Sequence, residues 1–167
     1  MLKKYLLIIF FFTYSFSALS SDKLAYVDLD FIFANTNLGK KIILELKKEN
    51  QKNIDNLKKD ELKLAKLEKD LITKKNILSK EEFDKKFSEI NLNISSFRKE
   101  KKKIIQDFEI KKKKEISSFF KRINPILIEY MKKNSLDLIL DKKSLIIAKN
   151  ELDIKIKIKE IIDNQIK

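Results

Sequence analysis

The 167-residue sequence has no cysteine, no histidine and no tryptophan, and it has only one glycine and one proline. Without histidine or cysteine the chain cannot form a Ser-His-Asp triad, a cysteine nucleophile, a disulfide or the usual zinc sites. A single glycine excludes glycine-rich phosphate-binding loops and argues against folds built from many tight turns. We therefore predict no catalytic residues, no metal ligands and no cofactor, and expect a protein that is not an enzyme.

Charge is what the sequence has in excess. Charged residues make up 38% of the chain, and its 38 Lys+Arg against 25 Asp+Glu give a net charge of +13. High charge with few helix breakers is typical of long helices. The abundance of Lys, Ile, Asn and Phe also indicates AT-rich codon usage, so the sign of the charge is better evidence than its size.

The first twenty residues are predicted to be an export signal. Lys3 and Lys4 precede an apolar run over residues 5–12, and Ala18 and Ser20 have the small side chains that signal peptidase requires before its cleavage site. The apolar run is shorter than the roughly 20 residues of a membrane-spanning helix. We therefore predict that residues 1–20 are a cleaved signal peptide; the alternative is a membrane anchor that stays in place.

The next segment predicts a strand followed by long helices. Residues 24–28 are short, apolar and partly β-branched or aromatic, which favours a strand. Asn35, Thr36 and Asn37 could each cap a helix. Residues 40–124 contain no glycine or proline, which indicates long helices. At Pro125 we expect a kink, or a new helix with Asn124 as its cap.

The apolar side chains of residues 57–130 follow a coiled-coil pattern. Leucines recur every seven residues, and the stripe then continues in steps of three and four. Its members are Leu57, Leu64, Leu71, Leu78, Phe83, Phe87, Ile90, Ile94, Phe97, Ile105, Phe108, Ile116, Phe119, Ile123, Ile126 and Tyr130. Ser79 and Glu82 form a capping box, which predicts a new helix at Lys80. We expect an antiparallel hairpin with arms of roughly 55–80 Å rather than one rod.

After residue 135 the pattern becomes strand-like. Residues 136–141 and 145–148 are strand candidates, with Lys142 and Lys143 as the turn between them. Residues 152–158 alternate with period two, whereas Ile158, Ile161, Ile162 and Ile166 have helical spacing, so strand and helix both stay open there. The predicted fold class is α+β: a helical hairpin arm over residues 39–133 on a small β-containing base made from residues 21–38 and 134–167.

A base this small buries little apolar surface, so we expect it to oligomerise through its strands. The residues expected to do so are Leu24, Tyr26, Val27, Leu138, Ile139 and Leu140.

Both ends of the exported chain resemble the Skp/OmpH family of periplasmic chaperones. The resemblance lies in residues 22–28 (Asp-Lys-Leu-Ala-Tyr-Val-Asp) with a helix start around Phe31, and in residues 125–142, which include Leu-Asp-Leu-Ile-Leu-Asp. It implies a periplasmic homotrimer in which strands of three subunits form a small barrel. Three helical hairpins then surround a cavity that holds unfolded outer-membrane proteins without ATP. The resemblance also implies a helix over residues 158–167, although the family's usual cap is missing before Ile158.

Two dense basic runs are the candidate binding residues for unfolded clients and anionic surfaces. They are Arg98, Lys99, Lys101, Lys102, Lys103, Lys111, Lys112, Lys113 and Lys114. Their charge would attract acidic unfolded proteins and an anionic lipid or lipopolysaccharide surface; the alternative is a solvated helix face. Nucleic acid is the usual partner of such charge, but export argues against it.

We therefore expect an ATP-independent periplasmic holdase, with an exported coiled-coil structural or envelope-tethering protein as the alternative. Phe83, Phe87, Phe97 and Phe108 are expected to pack the hairpin seam, or else to contact clients.

Overall fold

Two long helices form most of the structure, a computed structural model that describes residues 23–166. Helix α2 spans Asn37–Thr73 and helix α3 spans Lys80–Lys133. Leu71 and Ile90 line one cleft near the turn, and Lys111 pairs with Glu49 farther back, so the helices are antiparallel. The predicted hairpin is therefore confirmed, and the continuous rod is excluded. The predicted signal peptide lies outside the described residues.

The turn between the two helices has the predicted capping box. The Ser79 hydroxyl accepts a hydrogen bond from the Glu82 N–H, and the Glu82 carboxylate accepts one from the Ser79 N–H at 3.1 Å. The Leu78 N–H also donates to the Lys74 carbonyl. Leu71 is buried in the seam, and Leu57, Leu64 and Leu78 are half-buried. The heptad leucines thus lie along the seam between the two helices, as predicted.

Helix α3 continues through Pro125, so of the two predicted outcomes, a kink or a restart at Asn124, the restart is wrong. Proline removes one backbone hydrogen bond from a helix interior. Here Phe119, Ile123 and Ile126 are buried on both sides of that position and pack against the base. Their burial keeps the helix continuous although one hydrogen bond is lost.

Two helix N-caps define where the short first helix and the arm begin. Strand β1 spans Leu24–Val27, and the short helix α1 spans Leu29–Asn35 with Asp28 as its cap. Of the three candidate caps for α2, Thr36 is the one used: its fully buried hydroxyl accepts from the Gly39 N–H at 3.2 Å. A Cβ at Gly39 would lie 1.8 Å from the Phe33 carbonyl oxygen. The only glycine of the sequence therefore stands where α1 and α2 approach most closely.

The base contains a two-stranded parallel sheet. Strand β2 spans Leu138–Asp141 and pairs with β1, so that Leu24 faces Leu138 and Tyr26 faces Leu140. Tyr26 also bridges to Asp153, and its carbonyl accepts from the Ile154 N–H at 3.0 Å. Parallel strands need a long crossover, and here the whole helical hairpin is that crossover.

The second predicted strand, at residues 145–148, is wrong. After β2 the chain forms 3₁₀ turns at Lys142–Ser144 and Asn150–Leu152, with an irregular segment between them. Ile146 and Ile147 in that segment are 99% and 89% exposed. A strand exists only when its backbone pairs with another strand, and no described segment pairs with this one.

The open choice at residues 152–158 is settled mainly in favour of a helix. Helix α4 spans Lys155–Gln165, so it begins three residues before the start implied by the resemblance. Ile154, Ile158 and Ile162 are buried at a spacing of four, which is the helical period. The strand-like feature that remains is the bridge at Asp153.

Helix α4 is attached to the start of the arm through Asp163. Its carboxylate accepts the Asn37 N–H at 2.7 Å and the Lys159 ammonium at 2.7 Å. Burial raises the pKa of Asp163, but these two hydrogen bonds outweigh it and hold the pKa below its ordinary value. This carboxylate therefore stabilises the first turn of α2 while it is ionised.

One apolar core joins the root of the arm to the base. It contains Val27 of β1, Ile32 of α1, Phe119 and Ile123 of α3 and Ile158 of α4. Phe33 packs edge-to-face on Phe119, with ring centroids 5.0 Å apart. Within residues 23–166 no helix is both long and apolar enough to cross a membrane. The fold is thus α+β, with a helical hairpin rooted in a small core.

Candidate functional site

Both predicted basic runs lie on the exposed surface of α3, in the middle of the arm. Over residues 98–114, nine basic side chains stand against Glu100, Asp107 and Glu109, which gives a local charge of +6. This segment carries more net positive charge than the rest of α3. The structure therefore brings the nine predicted residues together on one helix.

Few of these charges are neutralised within the chain. Lys111 pairs with Glu49 of α2 across the hairpin, and Lys112 lies 3.7 Å from Glu109. The hydrogen bond with Glu49 raises the pKa of Lys111, so its amine stays protonated. The other seven basic residues form no ion pair with any part of the chain that the structure describes. Most of the positive field is therefore available to a partner.

An open cleft of about 660 Å³ lies between α2 and α3 at the level of these runs. Its floor is apolar and its edge is charged, and Lys101 and Lys112 stand at that edge. The floor residues are Ile54, Leu57, Ile104, Ile105 and Phe108; Lys58, Glu61 and Glu109 complete the edge. The hairpin seam is thus not closed here, a gap that the heptad pattern did not predict. An amphipathic segment fits an apolar floor with a charged edge.

A second open cleft, of about 530 Å³, is lined by other members of the basic runs. Arg98, Lys99 and Lys102 line it together with Glu68 and Ile94. Since consecutive residues of a helix point in different directions, one basic run supplies both clefts. The positive charge therefore surrounds α3 instead of forming one discrete site.

The four phenylalanines of the arm are only partly covered. Phe83, Phe97 and Phe108 are half-buried, and Phe87 is 53% exposed. Phe83 stacks on Phe87 with ring centroids 6.2 Å apart, and Phe108 lines the larger cleft. The seam therefore covers part of each of three rings, while apolar ring surface remains accessible along the arm.

The six residues predicted to join subunits fall into two groups. Tyr26 and Val27 are buried inside the subunit. Leu24 and Leu138 are more than two-fifths exposed and face each other across the sheet, whereas Ile139 and Leu140 are half-buried. Buried side chains stabilise the subunit's own core. Leu24 and Leu138 are the members of the set that offer most surface to another molecule.

The base has further exposed apolar residues outside that set. They are Ile146, Ile147, Leu152 and Ile156. Ile146 and Ile147 were assigned to a strand by their sequence pattern, and their exposure could not be foreseen from it. Monomeric proteins seldom leave large apolar patches open to water, and these side chains are apolar surface that the described part of the base leaves uncovered.

These features define a class: an α+β protein in which a basic helical hairpin with open clefts stands on a small apolar base. The sequence profile described as Outer membrane protein (OmpH-like) matches residues 23–162, and the chain belongs to this family.

Six chains of solved structures match significantly. One is a Caulobacter crescentus protein provisionally described as an OmpH-like outer membrane chaperone, with a TM-score of 0.81 and 15% identity over 88% of this chain and 87% of that one. No curated protein matches the sequence at a significant level.

Proposed function

We propose that this protein is an ATP-independent holdase chaperone of the periplasm that binds unfolded outer-membrane proteins. Membership of the OmpH-like family and the fold of the Caulobacter relative support a chaperone role. The observation that carries the proposal is the middle of the arm, where seven basic side chains have no ion pair in residues 23–166 and four of them line two open clefts, the larger of which has an apolar floor. Such a surface holds a chain without acting on it chemically, so the proposed function is not enzymatic.

The proposed contacts are weak one by one and strong together. An exposed ion pair contributes at most about 1 kcal/mol, and several such contacts on one client add through multivalency. The basic residues of α3 attract acidic segments, while Phe108 and Ile105 contact apolar ones. The same charge would attract an anionic lipid or lipopolysaccharide surface.

The proposal includes a homotrimer formed by the base, residues 21–38 and 134–167. Support comes from Ile146 and Ile147, which are almost fully exposed, and from the edge of β2, which pairs with no described strand besides β1. Unpaired strand edges and exposed apolar residues are usually covered by another chain. Three subunits would place three arms (residues 39–133) around one cavity.

Periplasmic location is proposed from the first twenty residues together with the family. If they are a signal peptide, the purified periplasmic protein begins near Ser21. N-terminal sequencing checks this directly. A chain that keeps Lys3 and Lys4 and sediments with membranes would contradict it.

The holdase activity is tested by diluting an unfolded outer-membrane β-barrel protein from urea and measuring light scattering. We expect the processed chain to keep the client soluble. Replacing Lys101, Lys102 and Lys103 by Gln should weaken protection about tenfold at low salt, because three contacts of about 0.5 kcal/mol each are removed. The matched control removes equal charge nearer the base, at the exposed Lys41, Lys121 and Lys132. Unchanged scattering with and without the natural chain would refute the proposal.

The trimer is tested by analytical ultracentrifugation. Ile146→Asp should shift the natural trimer towards monomer, because a buried unpaired carboxylate would be costly at the interface. Ile110→Asp is the control, since Ile110 is 65% exposed but lies on the arm. A monomeric natural chain, or equal behaviour of both variants, would contradict a base-mediated trimer.

A further inference from the structure

The far end of the arm exposes apolar side chains that the base and the clefts do not explain. Ile77, in the turn between α2 and α3, is 82% exposed, and Ile72 at the end of α2 is 68% exposed. Phe87 stacks on Phe83 in the first turns of α3. A single exposed apolar residue needs no explanation, but several within sixteen residues form a patch. We name residues 72–87 the arm tip.

Local hydrogen bonds fix the orientation of this turn. The Lys75 N–H donates to the Ile72 carbonyl at 3.2 Å, and the Ile77 N–H donates to the Lys74 carbonyl at 3.0 Å. The neighbouring Leu78 is half-buried towards the seam, whereas Ile77 faces water. The exposure of Ile77 is thus built into the turn.

Lysines accompany the apolar residues of the arm tip. Five exposed lysines stand against three acidic residues, and one of these acids, Glu82, is used in the capping box. None of the five forms an ion pair with another residue in the 23–166 range. They are Lys74, Lys75, Lys80, Lys85 and Lys86. Lysine stems cover apolar surface while their ammonium groups reach outward to anions.

We infer that the arm tip docks on an anionic phospholipid bilayer, with Ile77 and Ile72 entering the headgroup region and the lysines contacting phosphates. The tip lies about 20 Å beyond Lys101 of the larger cleft at 1.5 Å per helical residue, whereas the second cleft ends at Glu68 and Asn91, about 6 Å from it. A bilayer fits this arrangement, because the end of a rod can place its apolar turn in the headgroup region while the surrounding lysines reach the phosphates. Each lysine near such a surface strengthens binding about fivefold.

This inference deepens the lipid-surface part of the proposed function by assigning it to the arm tip. Because the natural chain contains no tryptophan, Ile77→Trp introduces a single reporter. Its fluorescence should shift to the blue when vesicles of phosphatidylcholine with phosphatidylglycerol are added, and should not shift with phosphatidylcholine alone. Leu92→Trp, at an exposed position on the side of the arm between Asn91 and Asn93, is the control and should not respond. No shift at position 77, or equal shifts at both positions, would overturn the inference.

A second variant separates the arm tip from the client surface. Replacing Ile72 and Ile77 by Ser should weaken vesicle binding about tenfold or more, because the apolar contribution is lost, and should leave client protection unchanged. Both side chains are exposed, so circular dichroism should show a folded arm. The opposite result, lost client protection with intact vesicle binding, would make the tip a client site and overturn the inference. If the natural chain protects no client but the Ile77→Trp reporter still responds to vesicles, the inference stands and the holdase proposal fails.

Discussion

Replacing Gly39 by Ala is a sharp test of how the arm joins the base. In an ordinary helix this change stabilises by about 1 kcal/mol. Here the new Cβ would lie 1.8 Å from the Phe33 carbonyl oxygen and 2.8 Å from its carbon, whereas real Cβ atoms stay beyond 3.0 Å. The backbone must therefore move by at least the difference, about 1.2 Å. No side-chain rotation relieves this contact, because the obstructing atoms belong to the backbone.

The expected loss follows from three contributions. Overpacking costs about 1–3 kcal/mol. The shift also disturbs the Thr36 cap, which contributes about 1 kcal/mol. The higher helix propensity of alanine offsets about 1 kcal/mol of this loss. Gly39→Ala should therefore lower the free energy of unfolding by about 1–3 kcal/mol.

Urea unfolding followed by circular dichroism measures this change, at fixed protomer concentration because oligomer stability depends on concentration. Ala65→Gly, at an exposed position of the same helix, measures the propensity contribution alone and should cost about 1 kcal/mol. A Gly39→Ala chain as stable as the natural one, or more stable, would refute the close approach of α1 and α2.

Three further predictions concern the same junction. Phe119→Ala removes a fully buried ring and should cost about 3–5 kcal/mol, whereas the exposed Phe87→Ala should cost less than about 1 kcal/mol; similar losses from both would contradict the core assignment. Thr36→Ala should cost about 1–2 kcal/mol in thermal unfolding, and Thr36→Ser should restore most of it, a rescue that a purely apolar role of Thr36 would not give. The hydrogen bonds of Asp163 lower its pKa despite burial. The stabilisation that its carboxylate gives is therefore present above the pKa of the unfolded chain, near 4, and is lost as pH falls through the lower pKa of the folded chain. The Asp163→Asn variant should therefore be less stable than the natural chain near neutral pH, and this difference in the free energy of unfolding should shrink in acid. A difference that does not depend on pH would contradict this.

The arm could be predicted from the sequence because its signals are local. The heptad leucines, the capping box at Ser79 and the lack of breakers each depend on residues within a few turns. The cleft beside Phe108 depends instead on the distance between α2 and α3 at that position of the arm. Residue types alone do not determine this distance. The basic runs were located correctly on one helix, but their pairing with Glu49 needed the antiparallel register.

The base was harder to predict because its structure depends on contacts between distant segments. Residues 145–148 have the composition of a strand, but composition does not supply a partner. Pro125 predicted a possible restart, yet burial of Phe119 and Ile126 maintains the helix. The need for glycine at position 39 arises from an approach between α1 and α2 that no local pattern encodes. Tyr26 and Val27 are buried because β1 is paired to both β2 and Asp153.

The parallel pairing of β1 and β2 has a consequence for the order of folding. Leu24 and Leu138 are 114 positions apart, so closing that loop in a disordered chain costs about 4 kcal/mol of entropy. A hairpin formed first, one turn at a time from the Ser79 cap, brings the two strands together through short local steps. During synthesis β1 is made first, but it cannot pair with β2 until α3 is complete. The arm proposed to hold another unfolded chain would thus first guide the folding of its own.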